Sequence, residues 1–349
     1  MYDATDYLGR MGQGVLCCNP QTPKMLDVKF RLKVPGSEDE KILNWRDPLH
    51  RQFLGNNSRV VFIAHGWLEK MSTSEWMTAL RDEYLKRGAS VIVVDWRRGN
   101  GVQYWQAMAN VRIVGAMIGK SILNWGIHQR TLMIGFSLGA QIAAEAGLYT
   151  QVNGGVKIDE CHGLDPAGPF YDGCDKDVRL DKDDCRLVQV IHSSAERVPV
   201  VGTLAMSLGT IHKSGHCDFW INCGHRQGPC VDLDFLDFMK ASGRLALMSD
   251  GEMQDWIFKR VMCSHWRSPL VYLSAIRQEC KFEAFPCPDC GNHRKNCLHT
   301  LGSQTNNTLL PFSQCTPDMD DNYYVKSGSF EPFCDKKWGK ANYEQHSNA

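Results

Sequence analysis

Between residues 59 and 192 the chain alternates short β-branched runs with longer helical patterns, the rhythm of consecutive βα units laid into a mostly parallel sheet. Four runs read as buried strands: Arg59–Ala64 (RVVFIA), Ser90–Asp95 (SVIVVD), Thr131–Gly135 (TLMIG) and Arg186–His192 (RLVQVIH). Each is apolar on both faces, as a parallel strand covered by helices must be. Between the first two, Ser72 and Glu75 stand at capping-box spacing, Trp76, Leu80 and Tyr84 follow at intervals of four, and Gly88 stops the helix. A longer helical pattern runs from about Gln103 to Trp125, with Trp105, Met108, Val111, Val114 and Ile118 as its packing stripe. After about residue 195 the pattern gives way to stretches rich in Gly, Cys and His. No repeat or low-complexity linker interrupts the chain, so the expectation is one domain over residues 1–335 with an irregular, cross-linked C-terminal third, followed by a tail over 336–349.

The segment Gly135-Phe136-Ser137-Leu138-Gly139 falls directly after the strand TLMIG and opens a small-residue helix, LGAQIAAEAGL. Glycines two before and two after a serine suit a sharp strand-to-helix turn, because side chains there would crowd the backbone. Strand, turn and helix together are the nucleophile elbow of an α/β-hydrolase fold, with a mostly parallel central sheet and helices on both faces. Ester cleavage also needs donors for the charge that develops on the carbonyl oxygen, each worth about 3 to 4 kcal/mol of barrier. The N–H of Leu138 is one candidate. The other is that of Trp67 in His65-Gly66-Trp67, just after the first strand; a plain strand exit would read the same way. In this fold the acid and then the base follow the serine in chain order. Order alone leaves several choices: Asp165 ends a short apolar run, Asp172, Asp175, Asp177 and Asp181 cluster in a loop-like stretch, and eight histidines lie beyond Asp165.

Composition narrows the setting. The 39 basic and 39 acidic residues cancel, which leaves no one-signed field to gather nucleic acid or an anionic membrane. No run of apolar residues is long enough for a transmembrane helix. Thirteen of the 15 cysteines lie after residue 160, and two glycosylation sequons begin at Asn56 and Asn306, so a secreted, disulfide-bonded protein is expected. The N-terminus lacks the pattern of a signal peptide. Cys287, Cys290, His293, Cys297 and His299 have zinc-ligand spacing, but cysteines this numerous favour disulfides. Cys217 and Cys223 would close a short loop.

Beyond these motifs the chain resembles the animal neutral lipase family: the pancreatic, lipoprotein and hepatic lipases and the related phospholipases A1. The likeness runs from about residue 25 to 330 through HGW (65–67), VDWRRG (94–99), ANVRIVG (109–115), GFSLGA (135–140), GLDPAGP (163–169), VRLDKDD (178–184), VIHS (190–193) and CSHWRS (263–268). It implies a lipase acting on lipid esters at a lipid–water interface, with Ser137 as nucleophile, Asp165 as acid, His265 as base, and Trp67 and Leu138 as the oxyanion hole. It also implies a lid over about 230–263 closed by Cys230 and Cys263. No cofactor is implied beyond a structural calcium ion, held by Asp181, Asp184 and main-chain oxygens of Lys176 and Arg179. Phe136 departs from the histidine usual at that position, and the family's C-terminal β-sandwich has no counterpart here. The long lid stretch favours acylglycerols over phospholipids. A phospholipase A1 and a non-catalytic lipid-binding relative are the alternatives.

Overall fold

A computed structural model of the chain describes residues 19–55, 58–71, 74–196, 198–201, 204–230, 262–288, 290 and 315–334. The chain divides into two compact units at Val188 and Gln189.

In the first unit six strands, β1 (Lys29–Lys33), β2 (Lys41–Leu43), β3 (Val60–Ala64), β4 (Ser90–Asp95), β5 (Thr131–Phe136) and β6 (Ile158–Leu164), lie in the order β6-β5-β3-β4-β1-β2. β3 pairs in parallel with β4 and β5, and β5 with β6, while β1 runs antiparallel to β4 and β2. Every residue of β3, β4 and β5 is buried, which is why these runs carry no polar alternation. Three helices connect them: α1 (Glu75–Lys86), α2 (Tyr104–Trp125) and α3 (Leu138–Gly154).

α1 starts later than its sequence suggests. Ser74 occupies the cap position without a side-chain bond to the helix, and Ser72 lies outside the described residues. The α2 stripe holds at Met108, Val111, Val114 and Ile118, all buried. Trp105 departs from it and is 40% exposed, in the first turn of the helix.

Strand β7 (Cys185–His192) begins in the first unit, where Cys185 is disulfide-bonded to Cys161 of β6, and its last residues belong to the second. There β10 (Cys217–Ile221) pairs in parallel with Gln189–His192 and with β12 (Asp321–Val325), and β11 (Ala284–Pro286) runs antiparallel to β12. β8 (Val198–Val201) and β9 (Leu204–Met206) form a separate antiparallel pair, and helix α4 (Arg267–Ile276) follows His265. Parallel strands joined through helices, with a serine at the β5–α3 junction, give the chain the α/β-hydrolase fold. No helix among the described residues is long and apolar enough to cross a membrane.

Candidate active site

Ser137 lies between β5 and α3 with φ 56° and ψ −120°, a conformation that costs a non-glycine residue on the order of 1–3 kcal/mol. Its neighbours hold it there. Ser137 N donates to Leu164 O at 3.0 Å, and Ser137 O accepts from Ala140 N (3.0 Å) and Ala167 N (3.2 Å). The flanking glycines are required by close approach: a Cβ at Gly139 would run into the Ala64 carbonyl, and one at Gly135 into the backbone of Gly139. Phe136 is fully buried and meets Trp76 edge-on, with ring centroids 6.0 Å apart. A second tight turn lies against Ser137, where a Cβ on Gly66 would come within 2.9 Å of Ser137 Cβ.

That second turn is fixed from several directions. Gly66 N donates to Glu69 Oε2 at 2.7 Å, and the other carboxylate oxygen accepts from Trp76 Nε1 at 2.9 Å. Asn100 Nδ2 donates to Gly66 O (3.0 Å) and Glu69 O (2.8 Å), and Trp67 Nε1 to Gly101 O (2.7 Å). His65 is buried against Trp96, with centroids 5.5 Å apart, and burial holds its pKa down to about 4. It is therefore a neutral packing group near pH 7, and its Nε2 accepts from Trp96 N at 3.3 Å. Leu138 N is the first N–H of α3 and so has no partner within its helix.

Asp165 follows β6, fully buried, with φ 43°. The two bonds between the Ser137 and Leu164–Ala167 backbones tie the acid's segment to the elbow within the first unit. His265 belongs to the second unit, in the turn before α4, and is 1% exposed. Its Nδ1 lies 3.2 Å from Ser194 Oγ, which also accepts from Gly209 N at 3.0 Å. Its carbonyl accepts from Ser193 Oγ at 3.2 Å, and the preceding Ser264 Oγ accepts from Gln227 N at 2.9 Å.

A family model described as Lipase matches residues 9–333. The chain belongs to the lipase family. Pancreatic lipase-related protein 2 of Bos taurus is 36% identical over 65% of the chain and 46% of its own length. Pancreatic triacylglycerol lipase of Sus scrofa is 31% identical over 77% and 57%, and an inactive pancreatic lipase-related protein 1 of Canis lupus familiaris 26% identical over 92% and 67%. This lipase-family chain spans about half the length of the curated relatives it matches.

Sequence reasoning passed over Glu69 and Ser194. Glu69 had a legible signal, since a carboxylate three residues after a tight turn can reach back to the backbone N–H, as in a capping box. Ser194 had none, because only the fold brings it to His265.

The acidic turn of this family member lies before β7. Asp184 Oδ2 accepts from Asp181 N at 2.8 Å, and Asp184 N donates to Asp181 O at 3.1 Å. Asp184 is buried, and burial, with Asp181 and Glu145 nearby, raises its pKa well above the usual carboxylate range. Lys176 Nζ binds Asp183 at 2.6 Å, and Arg179 lies 3.9 Å from Asp181. Among the described residues no three His, Cys, Asp or Glu side chains gather as a metal cluster. The two acidic side chains and the main-chain oxygens of Lys176 and Arg179 are hard donors of the type calcium prefers.

Cys230 and Cys263 are joined by a disulfide, while residues 231–261, which include the expected lid, lie outside the described residues. Cys217 pairs with Cys315, not with Cys223: Cys217 opens β10, the parallel partner of β12, and that pairing brings the segment before β12 to it. Cys280 pairs with Cys334. Cys287 is disulfide-bonded, which withdraws one thiolate from the zinc reading. His293, Cys297 and His299 lie outside the described residues.

Proposed function

We propose that the chain is a secreted hydrolase of lipid carboxylic esters that works through an acyl-enzyme on Ser137. The observation that carries this reading is the elbow: a serine kept at positive φ, with glycines packed on both sides and the Gly66 turn against it. An inert serine gives no reason to maintain that strain. In the proposed mechanism His265 takes the Ser137 proton through Nε2 as Oγ attacks the ester carbonyl. Asp165 stabilises the imidazolium that results, and the N–H groups of Trp67 and Leu138 receive the oxyanion. The imidazolium then protonates the departing alcohol, and water activated by His265 releases the fatty acid. Acylglycerols at a lipid–water interface are the proposed substrates, with the stretch between Cys230 and Cys263 as the lid. Calcium held by Asp181, Asp184 and the Lys176 and Arg179 carbonyls would serve structure, cross-bracing the turn before β7 and taking no part in the reaction.

The test combines a fluorophosphonate probe with a substrate panel. Covalent label should appear on the peptide carrying Ser137, and Ser137→Ala should lower fatty-acid release by about 10⁴-fold or more. Absence of both label and turnover in folded, oxidised protein would place the chain with catalytically silent relatives. Comparing triglyceride emulsions with phosphatidylcholine vesicles separates acylglycerol hydrolysis from phospholipase A1 activity, because the two share the Ser137 chemistry and differ in preference.

A further inference from the structure

The turn after β10 contains three consecutive residues at positive φ: Asn222 (49°), Cys223 (60°) and Gly224 (70°). Asparagine and glycine tolerate this backbone, but cysteine does not favour it. The turn is nevertheless held tightly. Asn222 Nδ2 donates to Gln227 Oε1 (2.8 Å) and Ser327 Oγ (3.1 Å), and Asn222 Oδ1 accepts from Ser327 N (3.1 Å). The consequence is that Cys223 Sγ is aimed at Cys290 Sγ, 3.5 Å away. Cys290 is 3% exposed in an apolar cluster with Trp220, Cys287 and Tyr324, and Cys223 packs on the edge of the same cluster.

We propose that Cys223 and Cys290 are a reactive dithiol that closes to a disulfide, stapling the turn after β10 to the segment after β11. Neither residue belongs to the Cys161–Cys185, Cys217–Cys315, Cys230–Cys263 or Cys280–Cys334 bridge or to the bond made by Cys287, and a further approach of about 1.5 Å, within the reach of side-chain rotation, brings the sulfurs to bonding distance. Cys223 is the attacking group: the contact with Cys290 lowers its thiol pKa, and it is the more exposed of the two. Its thiolate attacks one sulfur of glutathione disulfide and displaces one glutathione thiolate. The Cys290 thiolate then attacks the Cys223 sulfur and releases the second. The pair gives up two electrons and two protons, and the oxidant leaves as two thiols.

The position of the staple gives it a role. Gly224 O accepts from Ala195 N (2.8 Å) and Glu196 N (3.2 Å), so the turn anchors the segment whose Ser194 contacts His265. Closing the disulfide fixes that anchor without touching a reacting atom.

Non-reducing peptide mapping of the full, glutathione-oxidised chain tests this. The expected result is a cross-linked peptide pair joining Cys223 to Cys290, with both thiols protected from iodoacetamide until reductant is added. Cys223→Ser should leave Cys290 alkylatable and lower the Tm by about 5 °C. The proposal is overturned if both thiols are alkylated while Cys217–Cys315 and Cys230–Cys263 remain intact. It is equally overturned if Cys290 is linked to another cysteine. Neither result depends on catalysis, so the mapping stands apart from the assignment of Ser137.

Discussion

Around Ser137 the chain is built from strands β3, β4 and β5, in which every residue is buried, and among the described residues one disulfide, Cys161–Cys185, lies in that unit. Around His265 the described strands are short, three disulfides with both partners described and the disulfide-bonded Cys287 lie in the same unit, and the turns are laced by Gln227, Arg267, Ser193 and Ser264. Gln227 Nε2 alone donates to the carbonyls of Ser193, Ile221 and His225. In the proposed mechanism both regions must hold a reactive side chain to within tenths of an ångström. One does so with close packing on a parallel sheet. The other uses cross-links and hydrogen-bonded polar turns, which suits a segment with less apolar surface to bury.

The comparison implies different weak points. In the first region a single methyl group should suffice to break the structure. Gly135→Ala would push its Cβ into the Gly139 backbone, which a flexible side chain cannot relieve, so a loss of about 3 kcal/mol or more is expected. Thermal melts and soluble yield check this; a variant with wild-type Tm would show that the elbow is looser than its geometry implies. Reductant supplies the matching contrast. Hydrogen exchange should rise over the turns near His265 well before it rises in β3–β5, and uniform loss would remove the distinction.

Packing also has a cost that can be titrated. Glu145 is buried in α3, and burial raises its pKa to about 7 against the attraction of Arg112. Between pH 4.5 and about 7 the folded state keeps a proton that the unfolded chain has released. Stability therefore falls as pH rises through that window, and the penalty is complete above it, on the order of 3 kcal/mol. Glu145→Gln should flatten this slope, so that the variant gains on the parent at pH 8 and not at pH 4.5. Guanidinium unfolding at the two pH values measures it. If calcium occupies the neighbouring Asp181–Asp184 turn, chelation at pH 8 should lower the Tm, and the effect should fade in acid as Asp184 takes its proton.

The two regions also differed in how far they could be read. The strands were legible because a buried parallel strand must be apolar throughout, and the observed limits of β3, β4 and β7 fall within a residue of the runs picked from sequence. Ser137 was legible because its glycines are local. Trp105 misled because helical periodicity says nothing about where along a helix its packing begins. Around His265 little was readable: disulfide partners such as Cys217 and Cys315 lie 98 residues apart and depend on which strands pair. Ser194 likewise reaches His265 only through the fold.

The finest contrast concerns the residues that orient the reacting groups. Glu69 holds the Gly66 turn with both carboxylate oxygens, whereas Ser194 offers His265 Nδ1 one hydroxyl. Glu69→Gln keeps one acceptor and must break the bond from either Gly66 N or Trp76 Nε1. Displacing the proposed oxyanion donor, Trp67 N, costs less than deleting one, so kcat should fall about 10-fold with KM unchanged. Ser194→Ala leaves the His265 backbone bonds to Ser193 and Ser268 in place and should lower kcat by only about 3-fold. Thr at 194 should restore it, because the hydroxyl is retained. If Ser194→Ala proved the more damaging of the two, the base would depend on one hydroxyl more than on its network, and the division between packed and laced regions would fail at the residue where it matters most.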